Sequence, residues 1–264
     1  MRRSAKRSIG NAAYACVLAG LSVFAHAETV LITGSNTGIG LEFVKQYAAK
    51  GWTVIATHRR DEIPDTLKAV ADEFQNVRVE RMDVTSREQI YALADKLKDV
   101  PIDVLINNAG VYQMGDSYAN QQFGQLNYDY FDVFVATNIR GPIMVSEAFI
   151  EHVKASEQKK IISISSSHGM VTQPPIVRGV FWYGMSKAAL NKMMMTLSYV
   201  LREEKVTVVL FHPGAVLTEK QADLTFAGMI ETPFSVGHMI GTIDRLTIED
   251  SGKFLLYDGS PQPW

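Results

Sequence analysis

The chain has 264 residues, of which 47% are apolar and 20% are charged, and its formal net charge is −2. This length and composition are typical of one ordinary globular domain with a sizeable core. The nearly balanced charge excludes the strongly basic class of proteins, so no nucleic acid or anionic surface is expected as a partner.

The first 27 residues have the pattern of a secretory signal peptide. After a basic start, an apolar run extends from about Ala12 to Ala25, and Ala25-His26-Ala27 follows as a small-x-small cleavage site. The run is too short for a convincing membrane span, so no stable membrane insertion of the mature chain is expected. Cleavage would remove four of the 26 basic residues and the single cysteine, leaving residues 28–264 with a net charge of −6. We therefore predict export to the periplasm; the alternative is an uncleaved extension on a cytoplasmic protein.

From Glu28 onward, short apolar runs alternate with helical patterns. The predicted strands are Thr29–Thr33, Trp52–Thr57, Val77–Arg81, Ile102–Ile106, Lys160–Ile164, Val206–Phe211 and Lys253–Leu256. The predicted helices are Gly38–Lys50, Pro64–Phe74, Arg87–Lys98, Tyr128–Lys154 and Tyr183–Glu204. Less regular structure is expected for Tyr112–Leu126, Ser167–Trp182 and Ala215–Ile240. Several strands are apolar on both faces, which predicts an α/β fold: a single-domain, doubly wound (Rossmann) sheet of about seven parallel strands with helices on both faces.

A glycine-rich turn, Thr33-Gly-Ser-Asn-Thr-Gly-Ile-Gly40, follows the first predicted strand and opens the first predicted helix. Gly34 permits a tight turn, Gly38 lets the backbone approach a ligand, and Gly40 allows the helix to pack closely on the strand. Backbone N–H groups at the helix N-terminus then face a pyrophosphate. The turn predicts a nucleotide site.

The residues after the second strand indicate which nicotinamide cofactor is bound. An NAD-specific fold has an acid near the end of this strand, where it binds the ribose 2′-hydroxyl. Here the place is held by His58, followed by Arg59 and Arg60, and an arginine can bind a 2′-phosphate. This pattern favours NADP(H). The alternative is that both arginines are solvated loop charges.

Tyr183 and Lys187 are four residues apart and therefore share one face of a predicted helix. A lysine beside a tyrosine favours the phenolate, which makes the tyrosine a usable acid or base near neutral pH. Taken alone, the spacing also fits a solvated helix face.

Pro142 interrupts the predicted helix Tyr128–Lys154. Because proline has no N–H, the carbonyl of Asn138 loses its helical partner and can hold a water. The alternative is a kink that serves packing only.

Together these segments resemble the short-chain dehydrogenase/reductase family, single-domain type, over residues 29–264. Thr33–Gly40 is similar to its TGxxxGxG turn, Asn107-Asn108-Ala109-Gly110 to its NNAG motif, and Asp83-Val84 to its adenine-side acid. Pro213-Gly214 with Thr218 resembles its nicotinamide-side turn, and Asn138, Ser166, Tyr183 and Lys187 match its catalytic tetrad. The closing segment 252–259 and Trp264 look like the small carbonyl-reductase branch that includes sniffer-like and C-factor-like proteins.

The resemblance implies an NADPH-dependent carbonyl reductase without a metal. Tyr183 would donate a proton, with its pKa lowered by Lys187 and the oxidised nicotinamide, and Ser166 would bind the substrate oxygen. Lys187 would also bind the nicotinamide ribose, and the water at Asn138 would belong to a proton relay. Neighbouring Ser165 and Ser167 leave a one-residue error open at Ser166. The cofactor-binding residues implied are Gly34, Asn36, Gly38, Ile39, Gly40, Arg59, Asp83, Val84, Asn107, Asn108, Ala109, Gly110, Tyr183, Lys187, Pro213, Gly214, Val216 and Thr218.

The substrate and partner predictions rest on apolar residues near these motifs. An apolar pocket, and thus a small hydrophobic carbonyl substrate, is expected from Val111, Met114, Met170, Val171, Trp182, Leu217 and Phe226. The stripe Met193–Met195 could be packing, but in this family its helix often forms a dimer interface, so a homo-oligomer is expected. His168 could touch the substrate or be solvated. The alternative function is an NADP(H)-binding sensor or signalling protein of the same fold with little turnover.

Overall fold

A seven-stranded parallel sheet forms the centre of the molecule. The computed structural model describes residues 27–113, 118–174, 179–219 and 228–264. The sheet order is β3-β2-β1-β4-β5-β6-β9, and every neighbouring pair is parallel. The strands are β1 Thr29–Ile32, β2 Thr53–His58, β3 Val77–Arg81, β4 Val104–Asn107, β5 Lys160–Ile164, β6 Thr207–His212 and β9 Phe254–Leu256. Two short strands, β7 Val216–Leu217 and β8 Ile230–Glu231, pair separately.

Helices cover both faces of the sheet. They are α1 Gly38–Ala49, α2 Asp65–Glu73, α3 Arg87–Lys96, α4 Asp129–Phe134, α5 Gly141–Ala148, α6 Ile150–Lys154, α7 Phe181–Val200 and α8 Thr232–Arg245. Short 3-10 turns occupy Tyr118–Gln121, Ser167–Gly169 and Ile248–Asp250. In the described ranges, no helix has the length and apolar content needed to cross a bilayer.

Each sheet face has its own apolar core because alternate strand residues point to opposite sides. Val30 and Ile32 of β1 join the core under α1 and α8, whereas Leu31 joins the core under α3, α5 and α7. The rings of Tyr47 and Trp52 pack against each other at a tilt, with their centres 4.8 Å apart, between α1 and the start of β2. The motifs predicted from the sequence follow strands at the opposite, carboxyl edge of the sheet.

The fold predicted from the sequence is confirmed, and all seven predicted strands lie in the sheet within two residues of their predicted bounds. The prediction of irregular structure for Ala215–Ile240 is wrong at its end, because α8 begins at Thr232. Its buried residues Val236, Met239, Ile240 and Ile243 have helical spacing, and Pro233 suits a first turn. Gly237 and Gly241 interrupt the pattern, which obscured the helix.

The predicted helix Tyr128–Lys154 is not continuous. Between α4 and α5, residues Val135–Arg140 form a π-helical turn, in which the Gly141 N–H bonds to the Ala136 carbonyl five residues earlier. Pro142 follows at the start of α5, where its missing N–H has the least cost. The π-helical turn lies at Asn138, whose carbonyl the sequence predicted to lose its helical partner, and α6 begins after a further break at Phe149.

Candidate active site

The glycine-rich turn lies in close contact with the NNAG segment after β4. Gly34 has a φ of +66°, and a Cβ added there would lie 2.8 Å from the Ala109 Cα. The Asn108 side-chain amide donates to the carbonyls of Thr33 and Gly34 at 2.9 and 3.1 Å. At Gly40 an added Cβ would lie 2.3 Å from the Gly34 oxygen. The turn can therefore adopt this path only with glycine at these positions.

The N-terminus of α1 binds an anionic oxygen in this structure. The Gly38 N–H donates to a carboxylate oxygen of Glu219 at 2.8 Å. Thr218 lies beside it, with its methyl group 3.4 Å from the position of a Cβ added at Gly38. A carboxylate at this point shows that the turn and the helix N-terminus accept negative charge, so the site fits the pyrophosphate of a dinucleotide. Asn36 and Ile39 lie in the same turn and helix start, and the Asn36 carbonyl accepts the Thr66 hydroxyl at 2.7 Å.

Positive charge surrounds the carboxyl end of β2. His58 is buried there, and burial lowers its pKa, with the cations of Arg81 and Arg60 lowering it further. Asp61, the carboxylate nearest in sequence, forms an ion pair with Arg81 at 2.7 Å. Arg59 and Arg60 are exposed and belong to no ion pair among the described residues. Both arginines are thus free to bind a phosphate at this edge.

The predicted adenine-side residues follow β3. One carboxylate oxygen of Asp83 accepts the backbone N–H and the hydroxyl of Thr85, both at 2.8 Å. Val84 is buried, and its carbonyl lies 3.0 Å from the position of a Cβ added at Gly141. Asp83 therefore has a fixed orientation, and Val84 connects this loop to the first residue of α5.

The other residues predicted to bind the cofactor line the same edge. Asn107 donates to the Ser146 hydroxyl on α5 at 3.0 Å, and Gly110 lies beside Asn138 and Lys187. After β6, the Pro213 carbonyl accepts the Ser235 hydroxyl at 2.6 Å, and Gly214 has a φ of +86°. Val216 pairs with Ile230 in the small second sheet. The structure thus brings the predicted residues to the carboxyl ends of β1 to β6, where doubly wound sheets bind their ligands.

Asn138 connects the loop after β4 to α7. Its side-chain oxygen accepts the Val111 N–H at 2.8 Å, and its amide donates to the Val111 carbonyl at 2.8 Å. The same amide donates to Ser186 at 2.9 Å, and Ser186 in turn donates to the Tyr183 carbonyl at 2.8 Å. Asn138 is fully buried. Its side chain therefore fixes the position of the first turn of α7 relative to the sheet edge.

Ser166, Tyr183 and Lys187 meet at the end of β5. The Lys187 ammonium donates to the Ile164 carbonyl at 2.9 Å and lies 5.7 Å from the centre of the Tyr183 ring. Burial lowers the pKa of Lys187 to about 8. Burial raises the pKa of Tyr183 to about 12, and a hydrogen bond with Ser166 opposes this rise. In the protein by itself, burial therefore outweighs the lowering that the sequence led us to expect from Lys187.

The serines beside Ser166 have other roles. Ser165 is buried and donates to the Asn191 side chain at 2.5 Å, and Ser167 begins the 3-10 turn. Of the three serines, Ser166 is the one whose hydrogen bond affects the pKa of Tyr183, which favours it over its neighbours as the serine of the site.

Two aromatic rings pack against Tyr183: that of Tyr112, which the sequence did not identify as a site residue, and that of His168, for which the sequence left a substrate contact open. Tyr112 meets it edge to face at 4.5 Å, and His168 lies 5.5 Å away. The position of Tyr112, two residues after the NNAG motif, was the available signal. Of the predicted apolar pocket, Met114 and Phe226 lie outside the described residues. Trp182 instead packs against Tyr128 and Phe131 of the α4 region, at 5.4 and 5.3 Å.

Comparisons with known proteins agree with this architecture. Residues 28–226 match the short chain dehydrogenase family. An uncharacterized oxidoreductase of Schizosaccharomyces pombe is 32% identical over 256 residues, covering 88% of this chain and 96% of that protein. The C-signal protein of Myxococcus xanthus is 33% identical over 174 residues, covering 66% and 99%. The crystal structure of NADPH-bound carbonyl reductase from chicken fatty liver has a TM-score of 0.82 and 30% identity, with 90% and 99% covered.

Proposed function

This chain belongs to the short-chain dehydrogenase family, and on that basis we propose that it is an NADPH-dependent oxidoreductase that reduces an aldehyde or a ketone. The observation that carries the proposal is the meeting of Ser166, Tyr183 and Lys187 at the end of β5, beside the glycine-rich turn. A protein that only bound a nucleotide would have no use for a phenol, a hydroxyl and an ammonium converging at one point.

The N-terminus of α1 and the two arginines after β2 support NADP(H) as the cofactor. The α1 N-terminus accepts an anionic oxygen, and Arg59 and Arg60 are exposed where a 2′-phosphate would lie. The chicken carbonyl reductase, a structural neighbour, binds NADPH. Lys187 is the residue proposed to bind the nicotinamide ribose. NADPH, when bound, supplies the hydride, and the protein supplies orientation and electrostatics.

Tyr183 is the proposed proton donor. With a pKa of about 12 its phenol stays protonated at neutral pH, which suits protonation of an alkoxide. The Lys187 cation then stabilises the phenolate that remains. The Ser166 hydroxyl donates to the substrate oxygen, an electrostatic role that costs no reorganisation because the serine is already in place. Asn138 keeps α7, and with it Tyr183 and Lys187, in register with the sheet.

The rings of Tyr112 and His168 against Tyr183 support a small hydrophobic carbonyl compound as the substrate. The test is a panel of aldehydes and ketones, with NADPH oxidation followed by absorbance. Tyr183→Phe should lose at least 100-fold in kcat, roughly the contribution of a positioned acid. Tyr91→Phe is the matched control, since Tyr91 lies on α3 and its hydroxyl contacts Glu147 at 3.1 Å. Equal activity of wild type and Tyr183→Phe would refute the assignment.

A signalling role is the second candidate, favoured by the similarity to C-signal. NADPH binding in the micromolar range or tighter, without turnover of any member of the panel, would support it over the reductase.

The cofactor preference has its own test. Arg59→Ala should reduce the preference for NADPH over NADH by about tenfold or more, because it removes a charge-assisted phosphate contact. Arg202→Ala is the control, because Arg202 lies between the end of α7 and the start of β6 and pairs with Glu249 at 3.7 Å. An unchanged preference in Arg59→Ala would contradict the phosphate role.

We also propose a homo-oligomer formed through α4 and α7. These helices expose Phe131, Phe181, Tyr199 and Val200, the last two by 76% and 66%. Large apolar groups at this exposure favour burial against another subunit. Light scattering of the purified protein should show a dimer or tetramer, and a monomer at high concentration would refute it.

Export with cleavage after Ala27 remains part of the proposal. It is supported by the pattern of residues 1–27. Mass spectrometry of the native N-terminus decides it: a chain that starts at Glu28 supports cleavage, and one that starts at Met1 rules it out.

A further inference from the structure

His168 is a half-buried polar residue that the proposed mechanism does not yet use. It lies in the 3-10 turn Ser167–Gly169, directly after β5. Its ring nitrogen Nδ1 lies 3.2 Å from the Ser166 hydroxyl oxygen, and its backbone N–H donates to the same oxygen at 3.2 Å. The other ring nitrogen, Nε2, is buried and has no hydrogen-bond partner among the described residues.

The position of the ring proton follows from these contacts. Burial lowers the pKa of His168, so the ring is neutral at neutral pH and one nitrogen carries the proton. A buried N–H without a partner is rarer in proteins than a buried acceptor without one. The proton therefore belongs on Nδ1, where the Ser166 oxygen accepts it, and Nε2 is left as the unpaired acceptor.

This arrangement determines what the Ser166 hydroxyl can do. A serine oxygen has two lone pairs and one hydrogen. Both lone pairs are occupied, one by the backbone N–H of His168 and one by Nδ1–H. The hydroxyl hydrogen must then point away from His168, towards the side on which Tyr183 interacts with Ser166.

We infer that His168 is a positioning residue, which orients the Ser166 hydroxyl so that it donates to the substrate oxygen. With the opposite tautomer, Ser166 would donate to Nδ1 and offer the substrate only a lone pair, which a carbonyl oxygen cannot use. The inference rests on the proposed reductase function. The competing explanation is that His168 only packs its ring against Tyr112 and Tyr183.

The tautomer can be measured without any substrate. Nitrogen-15 NMR of histidine-labelled protein distinguishes Nδ1–H from Nε2–H, and the chain contains an internal reference for each. His152 must carry its proton on Nδ1, which contacts the Val100 carbonyl at 3.0 Å. His212 must carry it on Nε2, because its Nδ1 accepts the Gly214 N–H at 3.3 Å. The pattern of His168 should match that of His152; a match to His212 overturns the inference.

Kinetics test the consequence on the reaction. His168→Asn keeps a side-chain N–H near the position of Nδ1, whereas His168→Phe keeps the ring and removes the donor. His168→Phe should lower kcat/KM by roughly tenfold, the value of about one hydrogen bond. His168→Asn should recover most of this loss, and NADPH affinity should be unchanged in both.

A double-mutant cycle separates positioning from packing. If His168 acts through Ser166, the variant with both Ser166→Ala and His168→Phe should be no slower than Ser166→Ala alone. If the two substitutions lower kcat/KM by independent factors that multiply in the double variant, the inference is refuted. If the wild type reduces no carbonyl compound, the proposed function fails, whereas the NMR result still decides the tautomer.

Discussion

Replacing Lys187 with methionine should make the protein more stable at neutral pH, although it removes the ammonium group proposed to act in catalysis. Lys187 is only 5% exposed, and burial lowers its pKa from 10.5 to about 8. The folded protein therefore holds a charge that would be better solvated in the unfolded chain. Methionine has a similar length and no charge, so it removes this cost.

The magnitude follows from the two pKa values. A fall from 10.5 to about 8 corresponds to about 3 kcal/mol. Between these pH values the unfolded state binds more protons than the folded state, so wild-type stability rises with pH across this window. The free-energy cost of burying the Lys187 charge is fully present below pH 8 and is lost above pH 10.5. Loss of the 2.9 Å hydrogen bond to the Ile164 carbonyl costs about 1–3 kcal/mol and offsets part of the gain.

The assay is urea unfolding at several pH values from 7 to 10, below the range in which Tyr183 titrates in the folded protein. The advantage of Lys187→Met over wild type should fall by about 2–3 kcal/mol from pH 7 to pH 10. Lys192→Met is the control, because Lys192 is exposed on the same helix and the substitution removes no buried group. A stability difference for Lys187→Met that stays constant over this range would refute the reasoning.

Three further outcomes are expected. Glu219→Gln should bind NADPH roughly three- to tenfold more tightly in a fluorescence titration. In the wild type the Glu219 carboxylate accepts the N–H of Gly38, the first residue of α1, and so competes with a cofactor phosphate for it. Unchanged affinity would show that this contact does not compete. Gly169→Ala should lose about 1–3 kcal/mol in urea unfolding, since its Cβ would lie 2.8 Å from the Lys187 carbonyl carbon, whereas Gly241→Ala on α8, with its nearest neighbour at 3.7 Å, should gain up to about 1 kcal/mol. Asn138→Ala should lower stability by about 2–4 kcal/mol because three buried hydrogen bonds are lost. A thermal melt equal to that of wild type would show that Asn138 does not fix α7 to the sheet edge.

Much of the fold could be predicted because its signals are local. The strands are short apolar runs, and the turn at Gly34 needs a backbone conformation that glycine adopts easily. Pro142 indicated a change in hydrogen bonding near Asn138 because the missing N–H is a property of the residue itself. In contrast, α8 was missed because two glycines lower helix propensity, while its stability comes from packing four apolar residues on the sheet.

The sequence by itself determined which chemical groups the site contains, because residue type and spacing specify a Tyr–Lys pair, a serine at the end of a strand and a glycine-rich turn. Only the tertiary structure decided how these groups behave. Burial is a property of the packed molecule, and it raises the pKa of Tyr183 where spacing alone indicated a lowering. The contact of Glu219 with α1 joins residues that are 181 positions apart, and the environment of both nitrogens of His168 depends on packing. Such through-space contacts cannot be read from the order of residues along the chain.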